Sequence, residues 1–169
     1  MTTPSEALFA RLAACRDDVF RLCLGFSRDA AAAEDLCHDV FLKAFARASS
    51  LREPAGMRIW LLRIARTTCL DHHRRLRLAP TVPLESAPDA AADRPGPEGL
   101  SEANEERLRL KTAIRALPRK QREILVLREY GGLSYEDLAR VLRLRPGTVM
   151  SRLNRARKAV TAAFRGEKP

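Results

Sequence analysis

The sequence predicts an all-α protein: two small helical domains joined by a flexible linker, the C-terminal one a helix-turn-helix. Three observations point that way. Apolar residues recur at three- and four-residue spacing through both halves, and no stretch alternates apolar and polar residues as a half-buried strand would. Between the halves, residues 79–99 hold Pro80, Pro83, Pro88, Pro95 and Pro97 among alanines and acidic side chains, too few large apolar groups to fold alone. Near the C-terminus, a short capped helix, a tight turn and a basic helix opened by proline follow one another.

Taken in order, the first helix is expected from about residue 4 to residue 26, with Leu8, Leu12, Cys15, Val19, Leu22 and Phe26 on its inner face. Asp29 has the character of an N-cap for a second helix, about 30–48, with Ala33, Leu36, Val40, Phe41, Ala44 and Phe45 inward. Pro54 and Gly56 mark a loop over 49–56. A third helix, about 57–76, carries Ile59, Trp60, Leu62, Ile64, Ala65 and Cys69. The domains are drawn at 1–78 and 106–169, with the acidic Pro/Ala-rich linker over 79–105. Beyond it, helices are expected over about 100–117, then 119–129 after Pro118, then 134–141 and 146–164, with Gly131 and Gly132 making a turn. Ser134 caps the third of these, with Asp137 three residues on as a capping-box variant.

The charge narrows the partner. The 169 residues carry a formal net charge of +10 and a sequence pI of about 10.3. Residues 1–79 hold 13 basic and 9 acidic side chains, residues 80–105 hold 1 and 6, and residues 106–169 hold 17 and 6. A basic C-terminal domain favours a polyanion: nucleic acid first, an anionic membrane surface second. No run of apolar residues is long enough to span a membrane, so no membrane insertion is expected. The N-terminus lacks the basic region and apolar core of a signal peptide, which makes the cytoplasm the expected location. Cys15, Cys23, Cys37 and Cys69 form no close C-x-x-C pair and are expected as free thiols. Cys37, His38, His72 and His73 match no standard zinc spacing, so neither a metal nor a cofactor is expected.

The helix-turn-helix pairs 133–139 with 146–153. Leu138, Val141 and Leu142 face inward on its first helix, and Val149 and Leu153 on its second. That leaves Thr148, Ser151, Arg152, Asn154, Arg155 and Lys158 on the outer side. There polar groups can read base edges in a major groove and cations can meet phosphates. Taken alone, the basic face also fits an ordinary solvated helix; the cap, the turn and the proline favour the DNA-reading alternative.

With these residues in view, the chain resembles the bacterial extracytoplasmic-function sigma factors of RNA polymerase. Residues 111–164 resemble their C-terminal domain through Ala116-Leu117-Pro118, Gln121-Arg122-Glu123-Ile124-Leu125, the stretch 133–139, Pro146-Gly147-Thr148-Val149, Ser151-Arg152-Leu153 and Arg155-Ala156-Arg157. Residues 16–75 resemble their N-terminal domain through Ala33-Glu34-Asp35-Leu36, Asp39-Val40-Phe41-Leu42-Lys43-Ala44-Phe45, Trp60-Leu61-Leu62-Arg63-Ile64-Ala65-Arg66, Asp71 and Arg74-Arg75.

The resemblance implies a non-enzymatic factor that binds core RNA polymerase, places it on promoter DNA and helps open the duplex. It implies that Asp35, His38, Asp39 and Lys43 dock on the polymerase. Ser49, Ser50, Arg52, Arg63, Arg66, Thr67 and Arg74 would serve the −10 element. Thr148, Ser151, Arg152, Asn154, Arg155, Arg157 and Lys158 would serve the −35 element, with Ser151, Asn154 and Arg155 toward bases and Arg152, Arg157 and Lys158 toward phosphates. A separate anti-sigma factor is the expected regulator. The chain departs from the family pattern at Thr67 (commonly Asn), Cys37 (commonly Gln) and Met150 (frequently Lys or Arg). Trp60 is open to two readings, a stacking platform for bases or a core residue. The linker acids Glu85, Asp89, Asp93 and Glu98 either imitate nucleic acid or keep the linker solvated. The alternative function is a stand-alone helix-turn-helix regulator, and an enzyme using the cysteines and histidines is the rival from another class.

Overall fold

The structure, a computed structural model, describes residues 4–51, 53–78 and 102–166. Every regular element among them is helical, in two compact units. The first holds α1 (Pro4–Ala13), α2 (Arg16–Ser27), α3 (Ala30–Ala46) and α4 (Met57–Leu78); the second holds α5 (Glu102–Ala116), α6 (Arg119–Glu129), α7 (Tyr135–Leu142) and α8 (Pro146–Phe164).

In the first unit, α2, α3 and α4 pack pairwise. Their apolar stripes meet at Val19, Leu22, Cys23, Ala33, Val40, Leu61, Ala65 and Cys69, all fully buried. Asp29 caps α3 as expected: its backbone is extended, and its carboxylate accepts the Ala32 N–H at 2.7 Å. Arg58 on α4 donates to Asp18 on α2 at 2.6 Å, and Arg21 donates to the other carboxylate oxygen.

Where one helix is expected over 4–26, there are two. The chain tightens at Ala14 and Cys15, where the Cys15 N–H bonds back only three residues to Leu12. The new helix places Asp17 and Asp18 in its first turn, where acidic side chains favour a helix start. The apolar phase runs unbroken through the joint, so periodicity alone cannot reveal it. Phe45, expected in the core, is 41% exposed. It lies on the flank of α3 and stacks on Phe9 of α1, ring centroids 5.9 Å apart. Two short 3-10 turns, Ala48–Ser50 and Pro54–Gly56, lie at the start and the end of the loop expected over 49–56.

The second unit is held by α8, which packs against α5, α6 and α7. Ile124, Leu127, Leu133, Leu138, Val149, Leu153 and Ala156 are buried together. α5 begins at Glu102, inside the stretch assigned to the linker, because the prolines end at Pro97 and helix-forming residues follow. The rest of that stretch, 79–101, with its four linker acids, lies outside the described residues, as does Arg52.

The turn of the helix-turn-helix is closed at both ends. Ser134 accepts the Asp137 N–H at 3.0 Å and donates to the Asp137 carboxylate at 2.7 Å. α7 ends at Arg143 in the left-handed region (φ 54°), and the Leu144 N–H returns to Ala139 O at 3.0 Å. Arg145 is extended, and Pro146 takes the first turn of α8.

Two outcomes follow. A side chain with a Cβ is strained in the left-handed region, so Arg143→Gly stabilises the protein by about 0.5–1 kcal/mol; an unchanged or lower urea midpoint contradicts this. Burial raises the Asp18 pKa, but the hydrogen bonds and charges of Arg58 and Arg21 outweigh it and hold the carboxyl below its ordinary value. Asp18 therefore contributes stability that is present above its unfolded pKa of about 3.9 and lost as pH falls through the lower folded value. Urea midpoints of wild type should drop more steeply on the acid side of about pH 4 than those of Asp18→Asn.

Candidate DNA-binding surface

α8 buries Val149, Leu153 and Ala156, and that fixes what it shows outside. Ser151, Asn154 and Lys158 follow at three- and four-residue spacing along the opposite stripe, and all three are exposed. Arg155 is exposed on one flank; Thr148 and Arg152 are half-buried beside it. Ser151 Oγ donates to Thr148 O at 3.2 Å, and Arg155 Nε donates to Ser151 O at 3.3 Å. These bonds leave the terminal guanidinium nitrogens of Arg155, the fork that fits guanine, uncommitted to the helix. Arg157, expected toward a phosphate, has its Nη2 donating to Glu129 at 3.0 Å, across from the end of α6. That hydrogen bond, opposed by slight desolvation and aided by the Glu129 charge and Tyr135, raises the Arg157 pKa. Met150 is 61% exposed.

α4 buries Met57, Leu61, Ile64, Ala65 and Thr68 along one side. Arg63, Arg66, Thr67 and Arg74 share the other at helical spacing. The Thr67 hydroxyl donates back to Ile64 O at 2.8 Å, so its polarity is spent on its own helix. Arg74 is exposed, 3.7 Å from Asp71. Ser49 is exposed. Ser50 is anchored: its hydroxyl donates to Arg47 O at 2.7 Å and accepts the Trp60 indole N–H at 3.2 Å. Half-buried Trp60 is thus neither a free platform nor a full core residue, but ties the turn after α3 to α4.

On α3, Asp35 and His38 are exposed and Asp39 is half-buried. Lys43 turns toward α4, its Nζ donating to Thr68 Oγ1 at 3.1 Å. Leu42, absent from the sequence-based set, completes the outer stripe with Asp35 and His38 and is 55% exposed. The phase 35, 38, 42 was the available signal. A cavity of about 340 Å³ opens beside it, lined by Phe9, Leu12, Cys37, Phe41, Leu42 and Phe45. Cys37 is buried, which takes it off the face where a polar contact would be made.

Among the described residues, no group of three or more His, Cys, Asp or Glu could hold a metal ion, and no helix is long and apolar enough to cross a membrane. Cys15, Cys23 and Cys37 are poor nucleophiles. Burial, then the neighbouring Cys23, raises the Cys37 pKa to about 11; burial and then Asp18 raise that of Cys15. Cys23 rises through its contact with Cys69, Sγ to Sγ 3.8 Å, and through burial.

A capped helix-turn-helix with an outward polar and basic stripe, joined in one chain to a second arginine-bearing helix, defines a DNA-binding protein of the helix-turn-helix class. Comparison with known proteins is more specific. Residues 12–78 match the family described as Sigma-70 region 2, and residues 107–160 match Sigma-70, region 4. The chain is 34% identical to the probable RNA polymerase sigma-C factor of Mycobacterium bovis, over 93% of this chain and 83% of that protein. It is 33% identical to the RNA polymerase sigma-H factor of Pseudomonas aeruginosa, over 86% and 80%. A solved structure of the sigma factor RpoE, in complex with the anti-sigma factor NepR from Bartonella quintana, is similar at a TM-score of 0.67 and 26% identity, covering 97% of this chain and 98% of that one. CnrH, solved with the cytosolic domain of CnrY, shares the fold at a TM-score of 0.70 and 22% identity, over 97% and 91%. The chain belongs to the sigma-70 family of RNA polymerase sigma factors, in its extracytoplasmic-function group.

The burial of the thiols gives a direct test. At neutral pH the native protein should take up iodoacetamide slowly at half-buried Cys15 alone, with Cys23, Cys37 and Cys69 labelled only after denaturation, as read by peptide mass spectrometry. Rapid native labelling of Cys37 contradicts this.

Proposed function

We propose that this sigma factor recruits core RNA polymerase through residues 1–78, reads the −10 element with the same domain and the −35 element with residues 106–169, and uses 79–105 as the tether. The observation that carries it is the pairing, in one chain, of two outward helix faces: Arg63, Arg66 and Arg74 on α4, and Ser151, Asn154, Arg155 and Lys158 on α8. Arg155 and Asn154 fit guanine and adenine edges in a major groove, while Arg152 and Lys158 fit flanking phosphates. Ser49 and Arg52 supply polar groups for an unpaired −10 base, whose lost stacking costs a few kcal/mol that such contacts offset. Thr67 and Ser50, both bonded locally, hold the helix and the turn in shape around them.

Asp35, His38 and Asp39, with Leu42 among them, form the polymerase-docking face of α3. A factor that acts on promoter DNA would work in the cytoplasm, and that is the location proposed. Because a similar sigma factor is solved with an anti-sigma factor, an anti-sigma partner is proposed here too. A stand-alone helix-turn-helix regulator would leave the Sigma-70 region 2 half without a task.

The test is reconstitution. The full-length protein should co-purify with core polymerase and start transcription at discrete promoters; failure in both overturns the proposal. In that holoenzyme, Arg155→Ala should weaken −35 recognition by roughly 1 to 3 kcal/mol, the worth of one bidentate base contact. Equal losses on matched and scrambled −35 sequences would make Arg155 a phosphate contact instead.

A further inference from the structure

We propose that Glu129 is a specificity-determining residue of the DNA surface: by pairing with Arg157 it withholds one cation from the phosphates and lowers sequence-independent binding. This rests on the reading of α8 as the DNA-facing helix, and goes beyond it by assigning a role to a residue outside that helix.

The pair spans 28 positions, from the last residue of α6 to the penultimate turn of α8. The two side chains are 47% and 51% exposed, so the bridge contributes little to stability and its place in the fold needs another account. Its surroundings hold it in register. Arg128 donates to Leu133 O at 2.5 Å and lies 5.3 Å from the ring centroid of Tyr135, which itself borders Arg157.

The position of Arg157 on α8 gives the pairing its consequence. At roughly 100° per residue, Arg155 and Arg157 lie on opposite flanks of the outer stripe. Arg157 shares its flank with Met150, seven residues earlier and exposed. That flank therefore presents an apolar side chain and an arginine already facing a carboxylate, while the other presents Arg152 and Arg155. A phosphate approaching Arg157 must displace Glu129 and then sit near its charge. Sequence-independent binding comes from neutralised phosphates and released counterions, so a cation kept out of that count weakens binding to all sequences alike. Contacts to base edges are untouched, and the ratio of specific to non-specific binding rises.

The experiment is a salt titration of full-length protein on two duplexes, one carrying the −35 sequence it selects from a random pool and one scrambled. Glu129→Gln keeps the shape and removes the charge. It should tighten binding to the scrambled duplex about five- to tenfold at about 0.1 M salt and steepen the slope of log K against log salt by about 0.9, the increment for one added phosphate contact. Arg157→Ala should leave the wild-type slope unchanged, and the double variant should return to it. A wild-type slope in Glu129→Gln, or a shallower one in Arg157→Ala, overturns the proposal. If wild type does not prefer the selected duplex, the DNA-reading role of α8 falls and this inference with it. A clear preference with unchanged slopes sinks this inference alone.

Discussion

The outward residues of α8 owe their positions to three side chains hidden from solvent: Val149, Leu153 and Ala156. Sinking that stripe against α6 and α5 removes the helix's freedom to rotate, and with it any choice about which polar groups face out. In so small a unit, burial of one stripe supplies both the stability and the aim. The same holds on α4, where Leu61, Ala65 and Thr68 fill the interior and leave arginines on the opposite side. Loss of a core contact on either helix would therefore misdirect a surface before it removed a single exposed residue.

Much of this was legible in the sequence because helical phase is a property of spacing alone. The ends of α6 and α8, the Asp29 and Ser134 caps and the buried stripe of α8 all follow from local rules. What stayed hidden was tertiary. The break at Cys15 leaves the apolar phase intact. The exposure of Phe45 depends on the return of α1 over α3. The pairing of Arg157 with Glu129 joins residues 28 positions apart. The commitments of Ser50, Thr67 and Lys43 to local or neighbouring partners were equally invisible, since a polar side chain looks available until its hydrogen bonds are counted.

Counting charges along a helix also overstates what a ligand meets. α8 carries four basic residues between positions 152 and 158, but one already faces a carboxylate, two lie on the other flank and the fourth lies on the stripe between them. Net charge draws the protein toward a polyanion; the placement of counter-charges decides how firmly an arbitrary sequence is held.

The hydrogen bond from Trp60 to Ser50 has a bearing on modularity. It joins the turn after α3 to a helix ten residues further on, so the two are one mechanical piece. A turn lifted from another member of the family would arrive without its anchor unless the indole came with it. Changes of preference along this lineage are then expected to move in pairs, with the turn and the first coil of α4 altering together.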